Sequence, residues 1–331
     1  MKDKIKQEFT FIDLFAGIGG FSIALEKYGG KCLSSSDWDK HAQLTYEKNF
    51  GEAPAGDITK IDANEIPKHD VLCAGFPCQA FSISGKQKGF EDTRGTLFFD
   101  IARIVKFRKP KIVFLENVKN FERHDGGRTL KVIVKTLKGL GYDVYHKVLN
   151  ASDYGVPQSR ERIFIIGFKK TLKVKAFKFP EPTYKPVKLS DYLEPNSKAK
   201  NQEIKRGDIK LFDGKKKMLV DVYGHSHLAP IRIGTINGGG QGERIYSVDG
   251  HAITLSAYGG GIASKTGAYL VDGKVRKLTP SECARIMGFP KNFKIPVSDN
   301  QAYKQFGNSV AIPLVKKIFE EILKQSKFYE K

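Results

Sequence analysis

Three short segments carry residue types that could together run a nucleophilic reaction. Gly75-Phe76-Pro77-Cys78-Gln79 sets one thiol directly after the apolar run Asp70-Val71-Leu72-Cys73-Ala74. Glu116-Asn117-Val118 closes a second apolar run, Lys111 to Leu115, and Arg160-Glu161-Arg162 opens a third. A thiol can attack carbon while a carboxylate supplies or holds a proton on a neighbouring nitrogen, and guanidinium groups suit a substrate oxygen or a phosphate. Each residue also has an ordinary reading: a buried thiol is inert, a strand-end carboxylate can cap the next segment, and arginines can be surface charges. Alternation within a strand would send Arg160 and Arg162 to one face. In doubly wound sheets the chemistry sits where strands deliver their carboxyl ends, which is where the thiol and the carboxylate fall.

The elements that must position them alternate regularly. Thr10 to Phe15 reads as a strand ending in Ala16-Gly17-Ile18-Gly19-Gly20, followed by helical periodicity from Phe21 to Tyr28. A second strand, Lys31 to Ser36, ends in Asp37-Trp38-Asp39, a helix covers His41 to Asn49, and Asp57 falls on a turn. Helices over Leu97 to Phe107 and Thr129 to Leu140, with strands over Tyr142 to Leu149 and Arg162 to Phe168, continue the series. This alternation predicts an α/β fold, a parallel sheet with helices on both faces. Asp37 is placed for a ribose hydroxyl and Trp38 offers an adjacent flat ring, so the pair suits an adenosine, with Asp57 available to an amino group. Trp38 packed into a core is the plain alternative.

After about residue 190 the alternation gives way to short strands and glycine runs, Asn237 to Arg244 and Tyr258 to Gly261. Such runs are either flexible loops or backbone that must approach another molecule closely. Helical periodicity returns over Ile312 to Gln325. The 331 residues suit one large domain with a smaller appendage, and no apolar stretch approaches the roughly 20 residues of a membrane span. With no visible signal peptide the chain is expected to be cytoplasmic. Cys32, Cys73, Cys78 and Cys283 are scattered without ligand spacing, which argues for reduced thiols and no metal. The net charge of +20 favours a polyanionic partner, although lysine-rich composition alone can produce it. Positions 169 to 217 hold 15 basic and 6 acidic residues among scattered prolines, marking a basic domain edge.

Taken together the segments resemble the bacterial 5-cytosine DNA methyltransferases almost from end to end. Phe11 to Gly20 is similar to the family's S-adenosylmethionine turn, Gly75 to Gln79 to its catalytic loop, and Glu116 to Val118 to its catalytic acid motif. Gln158 to Arg162 resembles the arginine motif, Arg276 to Pro290 the segment supporting the recognition domain, and Gln305 to Val310 the last motif. Ala80 to Phe90 and Gly239 to Ser247 resemble members whose target is G-C-G-C with the first cytosine methylated. Asp37 stands where a glutamate is more usual.

The resemblance implies a doubly wound, Rossmann-like methyltransferase sheet with a smaller, mostly β target-recognition domain. Residues 1–193 and 304–331 would form the catalytic domain, 194–279 the recognition domain and 280–303 a hinge. S-adenosylmethionine would be held by Phe15, Ala16, Gly17, Gly19, Gly20, Asp37, Trp38, Asp57, Ile58, Pro77, Leu97, Asn308 and Ser309. Cys78, Glu116, Arg160 and Arg162 would carry catalysis. Gln79, Ser82, Ser84, Gln241, Arg244, Thr254, Tyr258 and Gly261 would contact double-stranded DNA, with Gln241 filling the space of a flipped-out cytosine and Ser84 helping from the opposite side. The implied setting is a bacterial restriction-modification system with a monomeric enzyme and a separate cognate endonuclease. A transfer-RNA cytosine methyltransferase, or a silent DNA-binding protein on the same fold, are the alternatives.

Overall fold

The computed structural model describes residues 9–77, 97–183, 185–212, 218–220 and 226–329. The chain divides into two compact units. One takes in the chain up to Leu149, Glu161–Pro180 and from Val315 onward; the other comprises Asn150–Arg160 and Glu181–Leu314.

The first unit is built on β1 (Phe9–Leu14), β2 (Gly30–Ser36), β3 (Val71–Gly75), β4 (Ile112–Val118), β5 (Tyr142–Asn150) and β6 (Glu161–Lys169), in the spatial order β2-β1-β3-β4-β6-β5. Its helices are α1 (Gly20–Glu26), α2 (Lys40–Phe50), α3 (Leu97–Arg108) and α4 (Arg128–Gly139). Strands β1 to β4 pair in parallel, with Asp13 opposite Cys73 and Gly75 opposite Glu116.

Because side chains alternate across a strand, β4 feeds two cores. Phe114 packs against Phe21 of α1 (5.1 Å between ring centroids) and against Phe319 near the C-terminus (6.4 Å). Its neighbours Val113 and Leu115 join the opposite core with Phe98, Ile101 and Val105 of α3 and Ile133 and Leu137 of α4. Both faces are therefore covered, and fully apolar strands such as Val71-Leu72-Cys73-Ala74 are what such a sheet requires.

One expectation is corrected. The sheet is mixed, because β6 runs antiparallel to β4, pairing Val118 with Arg162 and Ile112 with Phe168. The physical reason is the connection: between β5 and β6 lies only the single helical turn Ala151–Tyr154, with no crossover helix to return the chain in parallel.

The second unit carries β7 (Lys210–Leu211), β8 (Met218–Val220), β9 (Ser226–Leu228), β10 (Arg232–Thr235), β11 (Arg244–Ser247), β12 (Ala268–Val271) and β13 (Lys274–Lys277). Five of them form a sheet in the order β13-β12-β11-β10-β7, while β8 and β9 pair separately. Ile204, Ile236, Ile245, Ala263, Ala268 and Val275 make its core. Helices α5 (Pro280–Met287) and α6 (Asp299–Asn308) follow, and α7 (Ile312–Ser326) belongs from Val315 onward to the first unit.

A buried ion pair ties β13 to α5. Arg276 donates from Nη1 to Glu282 Oε2 (2.9 Å) and from Nη2 to Oε1 (2.8 Å), and both side chains are almost fully enclosed. The remaining valences are filled: Arg276 also donates to Asn196 Oδ1, and Glu282 accepts from the backbone amides of Thr279 and Glu194. A charge buried with all its hydrogen bonds made is tolerable, whereas one left alone is not. Glu282→Ala should therefore destabilise the second unit by about 3–5 kcal/mol, read as a lower urea midpoint.

Candidate active site

At the end of β1 the backbone turns sharply. Phe15 adopts φ 57°, Gly17 φ 56° and Gly19 φ 84°. A phenylalanine in the left-handed region is costly, and its persistence at a strand-end turn marks a constrained site. The turn is pinned from β2: Ala16 N donates to Ser36 O (2.9 Å) and Gly17 N to Asp37 Oδ2 (2.8 Å). Asp37 Oδ1 accepts from Asp39 N at 2.8 Å, so both carboxylate oxygens organise backbone. Burial raises the Asp37 pKa above its ordinary value, with these amide bonds opposing the shift.

The surroundings of this turn fit an adenosine. Trp38 is 72% exposed, which excludes core packing and leaves a bare ring face. Asp57 caps the turn Ile58–Lys60 by accepting from Thr59 N and Thr59 Oγ1 with Oδ1 alone, leaving Oδ2 without a hydrogen bond among the described residues. Ile58 is buried, and a side chain added at Gly17 would meet nothing within 4 Å, so the turn opens onto space. Pro77 is exposed two residues after β3, and Leu97 opens α3.

Beneath the turn lies a carboxylate whose role is not apparent from its sequence position. Asp13 is fully buried, accepts from Ser22 Oγ on α1 (3.0 Å), and keeps Oδ1 without a hydrogen bond among the described residues; Ser22 in turn meets Tyr46 of α2 (3.1 Å between oxygens). An aspartate inside Phe11-Ile12-Asp13-Leu14 was the available signal.

Glu116 closes β4 and stands beside the start of the Cys78 loop, its Oε2 lying 3.8 Å from where a Gly75 side chain would begin. Arg162 Nε reaches Glu116 Oε1 at 3.2 Å. Both are largely buried; desolvation pulls the Arg162 pKa below its ordinary value and the Glu116 charge opposes the shift. Asn117 donates from Nδ2 to Phe76 O (2.9 Å) and accepts from Val118 N (2.8 Å), which fixes the backbone ahead of Pro77. Phe76 packs edge-on against Phe121, 5.5 Å away. Cys78, Gln79, Ser82 and Ser84 lie outside the described residues. The three described thiols are poor nucleophiles: burial pushes Cys32 up to about 12 and Cys73 and Cys283 well above the ordinary value.

Within the second unit Arg160 is enclosed, and its guanidinium donates to Leu255 O (3.1 Å), Gly307 O (2.9 Å) and Ser309 O (2.6 Å). Gly307 touches the same strip of chain: a side chain there would lie 2.3 Å from Ala257 N. Thr254 Oγ1 donates to Ser159 O, and Gln158 Oε1 accepts from Leu255 N at 3.1 Å. Arg160 and Gly307 thus join three backbone segments, a role the one-face alternation of 160 and 162 does not suggest. Asn308 is exposed at the end of α6 and Ser309 is buried. Gln241, Arg244, Tyr258 and Gly261 are all exposed, Tyr258 at 71%.

The first unit is a doubly wound mixed sheet with a glycine turn, an exposed ring and a buried carboxylate–arginine pair. The C-5 cytosine-specific DNA methylase family model matches residues 9–324, and the chain belongs to that family. It is 55% identical over 318 residues to the Type II methyltransferase M.HhaI of Haemophilus parahaemolyticus, covering 96% of this chain and 95% of that protein. It is 47% identical over 340 residues to the Type II methyltransferase M.HpaII of Haemophilus parainfluenzae, covering 97% and 91%. Among solved structures, a mutant of Spodoptera frugiperda DNMT2 matches with a TM-score of 0.70 at 19% identity over 95% of this chain and 99% of that one, a likeness of fold. The protein is a DNA (cytosine-5-)-methyltransferase. Among the described residues no helix is long and apolar enough to cross a membrane.

Asp13 gives the site a pH signature. Burial holds its carboxyl up at about 7 against an ordinary 3.8, so the folded chain keeps a proton that the unfolded chain releases. The contribution of Asp13 to stability is constant below pH 3.8, declines as pH rises toward 7, and levels off above. Asp13→Asn has no such proton to lose, so its melting temperature should gain on the wild type across that window, as measured by melts from about pH 4 to pH 8.

Proposed function

We propose that the enzyme transfers a methyl group from S-adenosylmethionine to carbon 5 of the first cytosine of G-C-G-C in duplex DNA, through a covalent adduct with Cys78. The buried Glu116–Arg162 pair beside the Cys78 loop carries this reading, since it offers an acid and a cation to one planar base. The elevated pKa values of the other three thiols leave Cys78 as the candidate nucleophile.

Carbon 5 of cytosine is a weak nucleophile until the ring becomes electron-rich. The Cys78 thiolate bonds to carbon 6 while Glu116 interacts with ring nitrogen 3 and the exocyclic amine, and Arg162 donates to the ring carbonyl oxygen. Arg160 supports the thiol or a phosphate through the segments that it holds. S-adenosylmethionine, when bound, supplies an electrophilic methyl group; Asp37, Trp38 and Asp57 orient its adenosine, with Phe15, Ala16, Gly17, Gly19, Gly20, Ile58, Pro77, Leu97, Asn308 and Ser309 as further contacts. A base then removes the carbon 5 proton and Cys78 leaves by elimination.

No thiol reaches carbon 6 within stacked duplex DNA, so the base is flipped out at an unstacking cost of about a few kcal/mol. Gln241 fills the vacated space and Ser84 assists from the opposite side. Arg244 reads a guanine edge, a bidentate contact giving about 1–3 kcal/mol of discrimination. Gln79, Ser82, Thr254, Tyr258 and Gly261 make further contacts. In this reading residues 194–279 read DNA, 280–303 form a hinge and the remainder carries the chemistry, with S-adenosylhomocysteine as by-product. The setting is restriction-modification in a bacterial cytoplasm, with a monomeric enzyme and a separate endonuclease.

Two measurements test this. Purified enzyme acting on unmethylated bacteriophage DNA should place every 5-methylcytosine, mapped by bisulfite sequencing, in G-C-G-C; Cys78→Ala should abolish the reaction and keep specific binding. Methylation at other sites would discard the target, and turnover by the alanine variant would discard the nucleophile. The fluorescence of Trp38, the sole tryptophan, should change on saturation with S-adenosylhomocysteine; an unchanged signal would place the adenosine elsewhere.

A further inference from the structure

The turn between β10 and β11 carries Gln241 and sets Arg244 at the start of β11, yet in a chain of charge +20 a carboxylate holds it together. Glu243 accepts from Asn237 Nδ2 through Oε1 (3.1 Å) and from Gly240 N through Oε2 (3.1 Å). Its backbone closes the same ring: Ile236 N donates to Glu243 O (2.7 Å) and Glu243 N to Gly240 O (3.0 Å). Within that ring Asn237 and Gly239 take φ 51° and 76°, the left-handed region that asparagine and glycine adopt most readily. Gly239 is buried, and a side chain on it would lie 2.8 Å from Arg232 Nη2. Its carbonyl accepts from Arg244 Nε at 3.5 Å, so the arginine leans on the loop that Glu243 shapes.

A negative side chain beside a surface that meets phosphates weakens association, and its presence there calls for work of another kind. We propose that Glu243 is a positioning residue for target reading: it fixes the 237–240 backbone so that Gln241 and Arg244 reach the duplex in one geometry. The proposal rests on the reading of those two residues as DNA contacts.

The test compares wild type, Glu243→Ala and Glu243→Gln on a duplex holding one G-C-G-C site and on duplexes with one base pair of it changed. Glu243→Ala should lower kcat/KM on the target by about tenfold or more and shrink the preference over altered sites. At the same time its affinity for unrelated duplex at low salt should rise about two- to fivefold, because a like charge is gone. Glu243→Gln, nearly isosteric and so protected from a folding defect, keeps one acceptor. It should gain the same unspecific affinity and fall between the other two in preference. Specific and unspecific binding rising together, with preference intact, would reduce Glu243 to simple repulsion and overturn the proposal. No preference in the wild type would instead overturn the reading of the loop as a DNA reader.

Discussion

The active edge depends on a buried carboxylate and a buried guanidinium being brought within 3.2 Å of each other by strand direction. Glu116 sits near the carboxyl end of β4, and in an all-parallel sheet its neighbours there would be other strand ends. Because β6 runs the other way, its beginning lies opposite the end of β4, and Arg162 meets Glu116 without any loop having to reach. Removing either partner would strand a charge in a low-dielectric setting, so the pair and the reversal sustain each other.

The second unit repeats this use of enclosed arginine for a different end. Arg276 binds a carboxylate on α5, whereas Arg160 binds three carbonyl oxygens. A planar guanidinium has several donors in fixed directions, so one side chain can register several backbone segments at once. The exposed side chains proposed to meet DNA, Gln241, Arg244 and Tyr258, thereby stand on a scaffold whose polar interior is largely committed to internal bonds.

Much of this was legible in the sequence because the signals were local. Strand–turn–helix alternation located β1 to β6 and α1 to α4 to within a few residues, and the glycine turn, Asp37 and Trp38 stand at the strand ends where the alternation set them. Strand direction was not legible, since nothing in Arg162 to Phe168 itself encodes which way it pairs; the missing crossover helix does. Helix α5 went unread although Thr279-Pro280-Ser281-Glu282 is a capping box with proline at the first helical position, and both reciprocal bonds are present. Arg160 and Arg162 look equivalent in the chain, yet one joins backbone segments 95 to 149 positions further on and the other faces Glu116.

Gly307 sets a boundary on how such an enzyme can diversify. With Ala257 N 2.3 Å from where any side chain would begin, the strip of backbone at 256–257 has no slack against α6. The exposed turn at 237–243 has no comparable wall over Gly238. Gly239 and Gly242 in the same turn are walled in, with Thr235 Cγ2 and Gly260 O each 2.7 Å from where a side chain would begin, so Gly238 is the open position there, while bulkier side chains at the seam would be transmitted into the helix. The fold sets one open position in an otherwise fixed turn beside a seam that must be inherited whole.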